Sequence, residues 1–294
     1  MSKRPGTKRA AKSTAKPKES KPKATKAKAA KPKAAKSRKS GPGAPGRRAR
    51  AGAQGGVEIR RGPALDGKPS DPSVALCQRA RRVAERLAEA RPQARVELEH
   101  SSALELLVAT ILAAQCTDER VNQVTKRLFV KYPIPEAYLA APLEELEEAI
   151  RETGFFRQKA RSLRGVMEAL GRDFDGQVPG DMASLTSLPG VGRKTANVVL
   201  AHCFDTPGLV VDTHVTRVAA RLGLIEAKLA ERKLADRIET ALCDLLPEAS
   251  WSDFGTRMVL HGRYTCRARA PQCDECALMD LCPHFREVIA PARK

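Results

Sequence analysis

The sequence contains no apolar run of transmembrane length, so none of its helices is expected to span a bilayer. Its start lacks the apolar core of a secretory signal, and the Lys-rich stretch that follows has no amphipathic pattern. Without such a signal or an even disulfide framework, a reducing interior is expected. Acidic residues are almost missing from positions 1–56, which hold 19 Lys/Arg against one acid, Glu19. Large apolar residues are scarce there too: the run KPKATKAKAAKPKAAKSRKS passes into GPGAPGRRARAGAQGG. Such a segment cannot bury enough surface to offset its ordering entropy, so residues 1–72 are expected to be a disordered tail. Its charge suits a polyanion such as DNA or RNA, held by counterion release without sequence preference. A solubilising tail and a nuclear signal are the alternative readings.

The formal net charge is +19, but the tail supplies +18 of it and the remaining 238 residues are nearly balanced. A balanced body can still present a basic face. About 220 residues remain for folding, enough for one or two domains with a real core. They read as helix after helix. Asp71-Pro72 suits the cap and first position of a helix reaching about Glu89. Ser102 can cap Ala103–Ala114, and Asp118 can cap Glu119–Lys131. Pro142 starts a helix that stops near Gly154, and residues 157–170 carry an i, i+3, i+4 apolar stripe. Later helices are expected over 181–187, 193–203, 214–222, 228–245 and 252–263. Only Leu209–Val211 looks extended, too short to found a sheet, so the fold class is all-α.

Four cysteines crowd the end of the chain, Cys266, Cys273, Cys276 and Cys282, spaced C-x6-C-x2-C-x5-C. Thiolates this close can converge on one centre, either a structural zinc or a [4Fe–4S] cubane, with disulfides as a third option. Cys77, Cys116, Cys203 and Cys243 are scattered in apolar, helix-like contexts and read as buried thiols.

Residues 188–196 read Leu-Pro-Gly-Val-Gly-Arg-Lys-Thr-Ala between a short helix and a longer one. Gly190 and Gly192 permit a tight hairpin and leave backbone N–H groups bare at a helix N-terminus, where an anion is favoured. A nucleotide P-loop fails, because Leu188 and Arg193 stand where its glycines belong. A helix-hairpin-helix and an ordinary interhelical turn remain. Eighteen residues after Lys194 comes Val-Asp-Thr-His-Val, with Asp212 and His214. An amine and a carboxylate across a cleft suit imine chemistry, in which a neutral lysine attacks an electrophilic carbon and a carboxylate moves protons. A phosphate contact for Lys194 and a helix cap for Asp212 are the plainer readings.

Taken together, L-P-G-V-G-R-K-T-A, V-D-T-H and C-x6-C-x2-C-x5-C closely resemble endonuclease III, an iron–sulfur DNA glycosylase/AP lyase family of the helix-hairpin-helix superfamily. The resemblance runs from about residue 73 to 286. It includes Ala113-Ala114-Gln115-Cys116-Thr117-Asp118, similar to the family's A-Q-A-T-D word, and Gly154-Phe155-Phe156-Arg157-Gln158-Lys159-Ala160, similar to its G-L/F-x-x-x-K-A word. Cys116 stands where the family usually has Ala, and Phe155 where it often has Leu.

The resemblance implies removal of oxidised pyrimidines from duplex DNA and β-elimination at the abasic site. Lys194 would be the Schiff-base nucleophile and Asp212 its partner carboxylate. Gln115 would fill the gap left by a flipped nucleotide, and Phe155 would wedge the opposite strand unless it is a core aromatic. Leu188, Gly190, Gly192, Arg193, His214, Arg267 and Arg269 would complete the DNA-contact set. Cys266, Cys273, Cys276 and Cys282 would hold a [4Fe–4S] cluster, in a structural role that stiffens the Arg267–Gln272 loop. Two domains are implied: 73–96 with 207–294 around the cluster, and a six-helix domain of 97–206 with the hairpin at about 184–205. The implied partner is double-stranded DNA with damaged pyrimidines or abasic sites, bound by a monomer without membrane contact. A bacterial cytoplasmic, nucleoid-associated location fits best. The adenine glycosylase branch shares the hairpin, aspartate and cluster, but normally lacks the lysine, carries a Glu near Thr110 and has a further C-terminal domain. Here Lys194 is present, residues 106–114 hold no acid, and twelve residues follow Cys282. A non-enzymatic DNA-binding protein is the rival from another class.

Overall fold

Local capping sets where most helices begin. The computed structural model describes residues 72–293, with side chains from 73 to 292; the expected tail and the Asp71 cap lie outside the described residues. Every regular element among the described residues is helical, as expected for an all-α chain. Helix α1 (Pro72–Ala90) buries Val74, Cys77, Ala80, Val83 and Leu87, one stripe at helical spacing. Helix α2 (Ala103–Leu112) is capped by Ser102, whose Oγ accepts from the Glu105 N–H at 3.2 Å. It is apolar nearly all round, buries Leu106–Ala109, Ile111 and Leu112, and runs through the middle of its neighbours.

Helix α3 (Asp118–Lys131) starts one residue earlier than expected: its cap is Thr117, and Asp118 and Glu119 occupy the first turn. Helix α4 (Pro135–Ala140) has no counterpart among the expected helices, because Ile134 provides no capping side chain and the element is only 6 residues long. Helix α5 (Leu143–Ala149) passes through a 3-10 turn (Arg151–Thr153) to Gly154. Helix α6 (Phe156–Asp173) follows, then α7 (Met182–Ser187), capped by Asp181, and α8 (Arg193–Cys203). Helix α9 (Thr213–Arg221) is capped by Asp212.

The stretch 228–245, expected as one helix, is two: α10 (Ala227–Glu231) and α11 (Ala235–Cys243). The break is a Schellman turn in which Lys233, at φ 52°, takes the left-handed position. Its N–H bonds Ala230 O, and the Leu234 N–H bonds Leu229 O. A glycine there would have announced the break; a lysine does not. Helix α12 (Trp251–Tyr264) is the last long one. Beyond it the chain makes only short turns, Cys273–Glu275, Met279–Leu281, Phe285–Ile289 and Pro291–Arg293.

The described residues belong to one compact unit. Within it the buried apolar side chains fall into two clusters. One draws on α2 to α8, with Leu106, Leu112, Leu163, Met167 and Leu170 at 0 % exposure near its centre. The other joins α1 to α9, α11, α12 and the terminal turns through Val83, Val218, Ile238, Met258 and Leu278. The cleft described next opens where these two groups of helices meet.

Candidate active site

The hairpin between α7 and α8 presents Lys194. Leu188 (2 % exposed) and Val191 (6 %) anchor the turn in the core, and the Val191 N–H bonds Leu188 O at 3.1 Å. Gly190 has φ 78°, and a Cβ there would also press on the Ser162 hydroxyl at 3.1 Å, so both backbone and space favour glycine. No described side chain caps α8 at Gly192, which leaves the first-turn N–H groups open to an outside acceptor. Lys194, the second residue of α8, is exposed. Its neighbour Arg193 makes a two-point ion pair with Glu239 of α11, at 2.7 and 3.0 Å. Leu188 keeps its side chain in the core, so at this position only the backbone faces outward.

Asp212 arrives from the other group of helices. Leu209 and Val211, both buried, lead into it, and its Oδ1 accepts the N–H groups of His214 (2.7 Å) and Val215 (2.9 Å). Helix α9 can lie close on α12 because Gly262 faces it; a Cβ at Gly262 would sit 2.7 Å from His214 Cβ. His214 is thus half-buried against α12, with Nδ1 3.3 Å from the Arg217 guanidinium.

Lys194 and Asp212 line the same cleft, a cavity of about 300 Å³ that Gln115, Thr110, Asp118 and Arg263 also border. Behind it, Arg263 of α12 pairs with both Glu97 and Asp118, and the Tyr264 hydroxyl donates to Glu97. Burial works against the Arg263 charge, but the two carboxylates outweigh it and raise its pKa above the ordinary value. This link across 145 residues of sequence left no local signal.

Gln115 and Phe155 share an uncommon state. Both are exposed, Phe155 at 67 %, and both hold left-handed backbone, at φ 54° and 48°. For residues with a Cβ this conformation is costly and tends to be kept where it serves a site. Phe155 therefore lies outside the core, unlike its neighbour Phe156, whose ring is covered by Arg151 and Arg157. Lys159, on the first turn of α6, is buried and donates to Leu112 O at 2.8 Å and Thr153 O at 2.7 Å. Lys159 lies within the Gly154–Ala160 motif, and nothing in the sequence alone gives it a task.

Cys266, Cys273, Cys276 and Cys282 surround one cavity, with Arg221, His261 and Phe285 among its other walls. Arg221 donates to Cys266 Sγ at 3.3 Å and to the carbonyls of Arg267 and Ala268, at 2.8 and 3.1 Å. It thereby holds the loop that carries the exposed Arg267 and Arg269. His261 Nε2 lies 3.6 Å from Cys276 Sγ. Burial pushes the Cys276 thiol up to about 11 and raises Cys282 as well, so thiolates here call for a cationic partner. The donor set is all sulfur and half-buried, which suits a soft metal centre. Among the described residues no three His, Cys, Asp or Glu side chains converge on a single ion position.

Comparison with known proteins agrees with this geometry. The sequence profile of the HhH-GPD superfamily base excision DNA repair proteins matches residues 108–244. The chain is 47 % identical over 207 residues to endonuclease III of Synechocystis sp., covering 70 % of this chain and 92 % of that protein. It is also 47 % identical to endonuclease III of Bacillus subtilis over 191 residues, 65 % of this chain and 85 % of the relative. A solved structure of a trapped endonuclease III–DNA covalent intermediate superposes with a TM-score of 0.69 at 44 % identity, covering 72 % of this chain and 98 % of that one. With a hairpin-borne lysine, a capping aspartate and four thiols in this arrangement, the chain belongs to the endonuclease III family of HhH-GPD base-excision DNA repair enzymes.

Proposed function

We propose that Lys194 and Asp212 carry out the chemistry of this base-excision DNA glycosylase and AP lyase. The supporting observation is that the two side chains, delivered by different groups of helices, border one cleft together with Gln115. The substrate is duplex DNA with a damaged pyrimidine or an abasic site. A damaged nucleotide rotates out of the stack into the cleft. The Lys194 amine forms a bond to C1′ of the sugar as the bond from C1′ to the base breaks, and the base leaves with its electron pair. The C1′–O4′ bond then breaks, O4′ takes up a proton given up by the nitrogen, and a protonated Lys194 imine is left at C1′. Loss of a C2′ proton then expels the 3′ phosphate, which is β-elimination. Asp212 has one carboxylate oxygen occupied by the α9 cap, so its other oxygen faces the task of balancing positive charge on the sugar or moving protons.

Gln115 fills the vacated space and Phe155 wedges the opposite strand; exposure and left-handed backbone at both favour this. The open amides at Gly190 and Gly192 take a phosphate, with His214, Arg193, Arg267 and Arg269 beside the backbone track. The four cysteines would hold a [4Fe–4S] cluster, which supplies a rigid anchor for the Arg267–Gln272 loop. We read the two buried clusters of side chains as two domains, 73–96 with 207–294 and 97–206, acting as a monomer. No helix among the described residues is long and apolar enough to cross a membrane.

Borohydride reduction tests the chemistry. The full chain should become covalently joined to abasic duplex DNA, and Lys194→Ala should not. Absence of an adduct from the wild-type chain, with the abasic DNA intact, would overturn the mechanism. The cluster is tested by absorbance of anaerobically purified protein: a broad band near roughly 400 nm is expected for iron–sulfur, and a colourless zinc protein would defeat that assignment.

A further inference from the structure

Lys159 is a buried cation that the chemistry above does not use. Its ammonium is met by two carbonyls and, among the described residues, by no carboxylate. Burial lowers its pKa, with only Cys116 acting the other way. A lysine kept at 5 % exposure on such terms is costly unless its position matters. The two carbonyls are informative. Leu112 ends α2, so its carbonyl is one of the unsatisfied acceptors at the negative end of a helix. Three residues on comes Gln115. Thr153 ends the 3-10 turn, and Gly154 and Phe155 follow at once. The backbone N–H of Lys159 itself bonds Phe155 O at 3.1 Å. One side chain therefore grips the root of both exposed tips, and its own amide closes the Phe155 turn.

We propose that Lys159 is a positioning residue: its ammonium clamps the Gln115 loop to the Phe155 loop, fixing the separation at which the two tips enter opposite strands of the duplex. This rests on the reading that Gln115 and Phe155 insert into DNA. A plain structural role would tie down α2 and α6 without coupling the tips. The clamp couples them, because a shift of either loop is passed through the shared ammonium to the other.

The test uses the full chain with its cluster and a Lys159→Met variant, which keeps the stem and loses the donors. Single-turnover nicking is measured at an abasic site in intact duplex and at one whose opposing nucleotide is missing, where nothing has to be wedged aside. The intact-duplex rate should fall roughly 10-fold or more, and the gapped-duplex rate by less than about threefold, as expected when geometry rather than chemistry is lost. Equal losses on the two substrates would overturn the clamp. A double-mutant cycle of Gln115→Ala and Phe155→Ala gives a second measure. Their effects should depart from multiplicativity by about fivefold in the wild-type background and become multiplicative with Lys159→Met. If Lys159→Met does not fold, the wild-type cycle alone decides, and independent tips would overturn the clamp. If neither tip mutation changes the duplex rate, the insertion reading falls and the clamp with it, while borohydride trapping still reports on Lys194.

Discussion

The helices around the hairpin and the segment around the four cysteines are held together by different means. Around α2 and α6, side chains such as Leu106, Leu163 and Leu170 are fully buried and every turn of helix contributes. After α12 the chain has only short turns, with Leu278 and Leu281 as its main buried apolar contacts. Its remaining order comes from polar grips, chiefly Arg221 on the carbonyls of Arg267 and Ala268, and from whatever the thiols bind. The contrast teaches how each side of the cleft can fail. The hairpin side should lose stability gradually as core atoms are removed. The cysteine side should fail all at once when a ligand is lost.

The largest effect should therefore come from Cys276→Ser. Binding a structural metal centre contributes folding energy outright, so the variant should lose absorbance near roughly 400 nm. Residues 266–293 should become open to protease, while the protected fragment containing α2 to α8 survives. Intact protection of the C-terminal turns would mean that the apolar contacts suffice. Next is Asp212→Asn. Asn caps helices about as well as Asp, so melting should change little, while single-turnover nicking should fall by about 10² to 10⁴-fold if the charge does the work. A large loss of stability with little loss of rate would make Asp212 a cap and nothing more.

On the hairpin side, Leu163→Ala removes a fully buried side chain and should cost about 2–5 kcal/mol in denaturant unfolding, with the absorbance expected of the proposed cluster unchanged. Gly190→Ala is milder. The left-handed φ of 78° should cost about 1–2 kcal/mol, and the shifted amides should weaken binding to duplex DNA alike with and without a lesion. A change confined to damaged DNA would mean that the hairpin reads the lesion.

Much of this organisation is legible in the sequence, and the reasons are local. Ser102, Asp181 and Asp212 cap the helices they precede, and Gly154 and Gly190 mark real left-handed turns. The cleft was legible through words rather than periodicity: Lys194 and Asp212 stand in two motifs whose meeting no helical pattern discloses. What stayed hidden lacks a local mark. Helix α4 begins at an isoleucine with no cap, and Lys233 ends α10 in a conformation usually given to glycine. The grip of Arg263 on Glu97 and Asp118 and that of Lys159 on two distant loops are products of packing. Gln115 and Phe155 are singled out in the sequence only by resemblance, and their shared backbone state appears only in three dimensions.

The smallest effect concerns the join between the two sides. Arg193, beside Lys194, spends its charge on Glu239 of α11. The pair is half-exposed on the arginine side, at 51 %, so Glu239→Gln should cost only about 0.2–1 kcal/mol of stability. Its more telling consequence lies in DNA binding. With the carboxylate neutralised, Arg193 is free to meet a phosphate, and each added contact steepens the dependence of log affinity on log salt by about 0.9. Binding of Glu239→Gln to undamaged duplex across a salt series should show that increment, and Arg193→Ala in the same background should remove it. An unchanged slope would assign Arg193 wholly to the join, leaving backbone contact on this side of the cleft to the bare amides of the hairpin.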